Sequence, residues 1–166
     1  MDTCEVAALR PLAILIVEDH RAVRQALREL MHIAFGAIDV LEAANVGEAL
    51  QHVSERPVDV ALMDIKLPGT DGVSGTRMML ERSPRTAVVM VSNFDDSFHR
   101  QAAARAGAKR FVSKRAIGKE LTGAIEALLA ERAGASDVPK HNGSTAASMK
   151  GGSSTASPWL PVGASA

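Results

Sequence analysis

A doubly wound α/β fold, built on a parallel sheet of five strands with helices on both faces, is what this sequence predicts. Three features predict it. First, apolar β-rich runs alternate five times with helix-like segments between residues 12 and 132, and parallel neighbours need crossovers, which right-handed geometry lays across the sheet. Second, LAILIV (12–17), VDVALM (58–63) and TAVVMV (86–91) are apolar almost without a break, as central strands buried on both faces are. Third, 166 residues, 46% of them hydrophobic, suffice for one ordinary domain with a real core but not comfortably for two.

The elements run in order along the chain. After the first strand, 12–17, the segment 21–34 places Val23, Leu27, Leu30, Met31 and Ala34 on one helical face. IDVLEA (38–43) reads as the second strand and 46–55 as the second helix, with Asn45 able to cap its start. The third strand, 58–63, runs into a PGTDG turn and a helix near 73–82. The fourth strand, 86–91, leads to a helix over about 96–106 that stops at Gly107, as helices often stop at glycine. KRFVS (109–113) is the fifth strand, and 117–132 a last amphipathic helix with Leu121, Ile125, Leu128 and Leu129 inward. A flavodoxin-like order 2-1-3-4-5 puts the three most apolar runs in the middle.

The predicted domain occupies 11–132, with 1–10 as an N-terminal extension. From Gly134 onward 20 of 33 residues are Gly, Ser, Ala or Thr, too little apolar surface to order a chain, so 133–166 is expected to be a disordered low-complexity tail. Its one distinctive feature is SPWLP (157–161), with Trp159 and Leu160. Basic and acidic residues balance at 19 each, which leaves no general positive field for nucleic acid or an anionic membrane. The acidic N-terminus and the six-residue length of the first apolar run point to neither export nor a membrane span, hence to a cytoplasmic protein. Cys4 is the lone cysteine and has no disulfide partner in the chain.

In such a sheet the carboxyl ends of all strands share one edge, and ligands bind where the strand order reverses. The first strand ends in Glu18 and Asp19, the third in Asp64, the fourth in Ser92 and the fifth in Lys114. Each alone is an ordinary cap, turn or surface residue; their coincidence on successive strand ends is what points to a site. Carboxylates about 4 Å apart repel by roughly 4 kcal/mol at an effective dielectric near 20, so three together call for a cation. Oxygen donors without Cys or His ligands suit Mg2+. Asp19 and Asp64 are expected as direct ligands, Glu18 through water, and the Lys66 backbone carbonyl as a further oxygen. Beside a cation Asp64 is a candidate phosphoryl acceptor, since carboxylates form acyl phosphates, with Lys114 and Ser92 contacting phosphoryl oxygens. His20 reads as a helix-start residue.

The motifs ILIVEDH, VALMDIKLPGTDG, VVMVSNF and AGAKRFVSK, in this order and spacing, resemble those of the response-regulator receiver domain of two-component signalling. The resemblance covers about 11–132. It implies Asp64 as phosphoacceptor, Glu18 and Asp19 as the acidic metal pair, Ser92 and Lys114 as switch hydroxyl and phosphate-contacting lysine, and Phe111 as the aromatic switch residue. It further implies a histidine kinase or phosphotransfer protein as donor, a downstream protein target, and pairing through the fourth helix, fifth strand and fifth helix. Arg115 stands where many members have Pro after the lysine, so a trans peptide is expected there. Leu67 replaces a common Met. Lys66 and Phe94 flank the site two residues beyond Asp64 and Ser92, and a bulky Phe94 should exclude water and lengthen the life of the phosphorylated state.

The wording is similar to receivers that precede a helix-turn-helix domain, yet the segment after 132 lacks amphipathic helices for one. The expectation is therefore a stand-alone receiver, not an enzyme, acting through protein contacts. Three alternatives stay open: a Mg-dependent phosphohydrolase with Asp64 as nucleophile, disfavoured because Ile65 and Lys66 come directly after it and no second aspartate is placed as general acid; a transcriptional regulator fragment lacking its DNA-binding domain; and a non-phosphorylated scaffold.

Overall fold

The computed structural model describes residues 10–135. Five parallel strands, β1 (Ala13–Val17), β2 (Asp39–Ala43), β3 (Val60–Met63), β4 (Ala87–Ser92) and β5 (Arg110–Ser113), form one sheet in the order β2-β1-β3-β4-β5. The connecting helices are α1 (Arg21–Phe35), α2 (Val46–Glu55), α3 (Gly72–Arg82), α4 (Ser97–Ala106) and α5 (Ile117–Ala135), the last preceded by a 3-10 turn over Lys114–Ala116. Ile14 pairs with both Val40 and Val60, and Val89 with both Leu62 and Arg110, so the register is continuous across the sheet.

Alternation along the buried strands divides the core in two. Leu15, Val17, Ala61, Met63, Val88, Met90 and Phe111 point to one face and meet Ala49, Val53, Met79 and Ala103 from α2, α3 and α4. Ile14, Ile16, Val60, Leu62, Val89, Val91 and Val112 point to the other and meet Leu27, Met31, Leu121, Ile125 and Leu128 from α1 and α5. Every residue of β1, β3 and β4 is buried, whereas edge strand β2 is mostly half-buried. Each large aliphatic side chain so placed contributes about 1.5–3 kcal/mol.

The helix starts are fixed chemically. Asn45 caps α2 by accepting from the Glu48 N–H at 2.9 Å, while the Glu48 side chain reaches back to accept from the N–H of Ala44, the residue before the cap, at 2.7 Å. Asp71 accepts from the N–H groups of Val73 and Ser74 on α3, and Asp96 from that of His99 on α4. Gly107 ends α4 in the left-handed region at φ 101°. At the opposite edge from the site, Asp59 holds both Arg10, at 2.8 Å through each oxygen, and, through its carbonyl, Arg132 of α5.

Two expectations need correction. Ala34 is exposed rather than on the buried face of α1. The last helix continues three residues past 132, so residues 133–135 belong to α5 and not to a tail. The segment around Trp159 and the extension before Arg10 lie outside the described residues. No helix among the described residues is long and apolar enough to cross a membrane.

Candidate functional site at the carboxyl edge of the sheet

Strands β1, β3, β4 and β5 end together, and Ser92 at the end of β4 with the residues just beyond β1, β3 and β5 supplies the site. Glu18 and Ser92 are fully buried, Asp64 nearly so, and Asp19 is exposed at the rim. The backbone carries them into place: the Glu18 N–H donates to the Ala43 carbonyl and the Asp64 N–H to the Val17 carbonyl, each at 3.0 Å. Ladder bonds thus continue up to the carboxylates themselves.

Lys114 joins the pocket's two sides. Its ammonium lies 2.6 Å from Glu18 Oε2 and 2.8 Å from Asp64 Oδ2. Those two oxygens are therefore no more than about 5.4 Å apart, and two bare carboxylates at that separation repel by about 3 kcal/mol at an effective dielectric of 20. Burial pushes the ammonium's pKa down, but the hydrogen bonds to Asp64 and Glu18 and their charges outweigh it, holding the group above its ordinary 10.5. Three carboxylates against one ammonium leave two negative charges in the pocket, the complement of a divalent cation.

The grouping of donors differs in detail from expectation. Glu18 and Asp19 come together with His20, one donor atom from each lying within 4.8 Å of the others; Asp64 stands outside that group, tied to it through Lys114. His20 does start α1, yet its ring also touches both carboxylates, with Nδ1 2.9 Å from Asp19 Oδ1 and 3.3 Å from Glu18 Oε1. A helix-start residue next to two acids is a weak signal for this, because the ring's direction depends on the turn. The clustered oxygen donors and the uncompensated charge fit Mg2+.

The remaining expected residues surround this centre. Ser92 Oγ accepts from the Phe94 N–H at 3.2 Å. The Lys66 N–H reaches Asp64 Oδ1 at 3.4 Å, a weak contact, and its ammonium lies 4.4 Å from the centre of the half-buried Phe94 ring. Phe94 in turn packs against the His99 ring at 5.3 Å. Phe111 is already buried on the α4 face of the core, and the Arg100 guanidinium covers its ring at 4.7 Å. Arg100 is held there by Asp95, with Nε donating at 2.6 Å. Phe111, expected as the aromatic switch residue, thus already lies inside, with a cation of α4 over its ring. All peptide bonds among the described residues are trans, Lys114–Arg115 included.

The PGTDG segment owes its composition to the site. The Gly72 N–H donates to the Ile65 carbonyl at 2.8 Å, folding the loop onto the end of β3, and a Cβ at Gly72 would overlap the Asp64 carbonyl oxygen and stand 2.8 Å from its carbon. Only glycine permits that approach.

With this arrangement in view, comparison with known proteins is decisive. The family model of the response regulator receiver domain matches residues 14–126. The chain belongs to the response regulator receiver family. This receiver is 33% identical over 122 residues to the transcriptional activator protein ExaE of Pseudomonas putida, covering 74% of this chain and 57% of that one. It is 29% identical over 121 residues to the fimbriae Z protein of Salmonella typhimurium, covering 73% of this chain and 58% of the relative. Among solved structures, a LuxR-family two-component response regulator from Aurantimonas superposes with a TM-score of 0.68 at 34% identity, over 72% of this chain and 85% of that one. The receiver spans little more than half the length of the curated relatives it matches.

Proposed function

We propose that this receiver takes a phosphoryl group from the phosphohistidine of a histidine kinase or phosphotransfer protein onto Asp64, in the cytoplasm, and converts it into altered protein contacts. The observation that carries the reading is the Lys114 ammonium shared between Glu18 and Asp64: a nearly buried carboxylate held beside a cation, at the sheet edge whose rim carries the exposed Asp19. An Asp64 oxygen attacks phosphorus as the P–N bond breaks, and the departing imidazole keeps the electron pair and takes a proton from solvent. Asp19, Asp64, Glu18 through water, and the Lys66 carbonyl would hold Mg2+, which when bound neutralises charge on the phosphoryl oxygens.

This chain's own residues do the rest. Lys114 exchanges an Asp64 oxygen for a phosphoryl oxygen, and Ser92 gives up its role as acceptor for the Phe94 N–H and donates its hydroxyl to another. That exchange pulls on the loop between β4 and α4, which carries Asp95 and through it Arg100 over Phe111. The surface formed by α4, β5 and α5 changes as a consequence. Through it the receiver binds a downstream protein or a second copy of itself.

The reading is that of a switch rather than a turnover enzyme, supported by Lys66 two residues after Asp64, where a phosphohydrolase of this type would place a second aspartate as general acid and base. Intact mass spectrometry with acetyl phosphate tests it: one phosphoryl group should be gained with Mg2+, none with EDTA, and none in Asp64→Asn. Labelling of Asp64→Asn equal to that of the unaltered protein would overturn it.

A further inference from the structure

The Arg24 side chain ties the acidic end of β1 to a carboxylate on β2. It projects from the first turn of α1, and only about one-sixth of it is exposed. Nη1 donates to the Glu18 carbonyl at 2.6 Å and, more weakly, to the Asp19 carbonyl at 3.4 Å; Nε donates to Glu42 Oε2 at 3.1 Å. Glu42 lies on β2 and is held from three directions: Arg24, Arg28 at 3.3 Å, and the His52 ring, 3.0 Å from its backbone carbonyl. A planar guanidinium can serve a carboxylate on one side and two successive carbonyls on another, and a lysine ammonium cannot reproduce that fork.

Glu18 and Asp19 are the residues whose backbone Arg24 grips. Their carboxylates extend from the same two residues on the other side, into the pocket with Lys114 and His20. Arg24 and Arg28 share the one Glu42 carboxylate, so a positive charge remains here; what Arg24 adds beyond charge is its fork on the two successive carbonyls. We propose that Arg24, anchored on Glu42, is a positioning residue that sets the spacing of the Glu18 and Asp19 carboxylates for a divalent cation. This rests on the proposed reading of that pair as the Mg2+ site.

The test titrates Mg2+ into the 166-residue chain without phosphodonor, following backbone amide shifts by 1H–15N NMR. Unaltered protein should saturate. Arg24→Gln and Arg24→Lys should both weaken the apparent affinity by about tenfold, in the range found when groups supporting metal ligands are removed. Urea unfolding of each variant shows whether the fold is retained. Glu42→Ala, which leaves Arg24 in place but takes away the oxygen its Nε donates to, should weaken it in the same direction and decides the matter should the Arg24 variants not fold. An Arg24→Gln affinity equal to or tighter than that of the unaltered protein overturns the proposal, as does full affinity in Arg24→Lys, which would make charge and not the fork the active feature. Failure of the unaltered protein to bind Mg2+ would be a different result, striking down the metal reading itself.

Discussion

Replacing Lys114 by Met removes the ammonium that lies between two buried carboxylates while keeping most of the side chain's volume. Glu18 and Asp64 would then face each other across no more than about 5.4 Å, with about 3 kcal/mol of repulsion at an effective dielectric of 20. Truncating one member of a buried ionic set typically costs about 3–5 kcal/mol. At a urea slope of about 2 kcal/mol per molar, a loss of about 3 kcal/mol lowers the midpoint by about 1.5 M. Circular dichroism during urea titration at pH 7 measures it. Adding Asp64→Asn to Lys114→Met should recover most of the loss, because the amide ends the repulsion. The sign of the pH dependence comes from the raised pKa of Lys114: its stabilisation is full below 10.5 and disappears only as pH climbs through the higher folded value. Lys114→Met with an unchanged midpoint, or a double variant no better than the single, would refute the reasoning.

Three further outcomes are expected. Gly72→Ala puts a Cβ about 0.6 Å inside the 3.4 Å at which ordinary contact with the Asp64 carbonyl carbon begins, so urea unfolding should show a loss of about 1–3 kcal/mol or more, and acetyl phosphate labelling of Asp64 should slow with it. Asp71→Ala removes the cap of α3, a loss of about 1 kcal/mol at pH 7; burial raises the Asp71 pKa, but its hydrogen bonds from Ser74 and Val73 outweigh this and lower it. That contribution is present above the ordinary 3.8 and is lost as pH falls through the lower folded value, so the two proteins' unfolding midpoints should converge in acid. Phe94→Ser opens the approach to Asp64 and takes the ring from under the Lys66 ammonium; the phosphoryl group, tracked by intact mass after donor removal, should be lost faster than from the unaltered protein.

Much of this was legible because strand ends are. In a parallel sheet the buried runs 12–17, 58–63 and 86–91 announce themselves by composition, and the residue just beyond each run must lie on the common edge; that rule alone places Glu18, Asp64 and Ser92, and the shorter run 109–113 places Lys114 in the same way. Contacts made by long side chains were not legible. That Lys114 would bridge to Glu18, that the His20 ring would turn toward two carboxylates, and that Arg24 would reach back to the Glu18 carbonyl all depend on torsions beyond Cβ. Phe111 is the clearest case. Its position identified the residue, but that the ring lies in the core beneath Arg100, itself held by Asp95 on the preceding loop, depends on side-chain torsions. The end of α5 was missed for a different reason: Gly134 and Ala135 share the small-residue composition of 136–166, although they still belong to the helix.

The central claim is tested most directly by locating the acceptor. After exposure to acetyl phosphate and Mg2+, borohydride reduction of the acyl phosphate and peptide mass spectrometry should find homoserine in place of aspartate at position 64. Modification at another carboxylate, or none, would contradict the account.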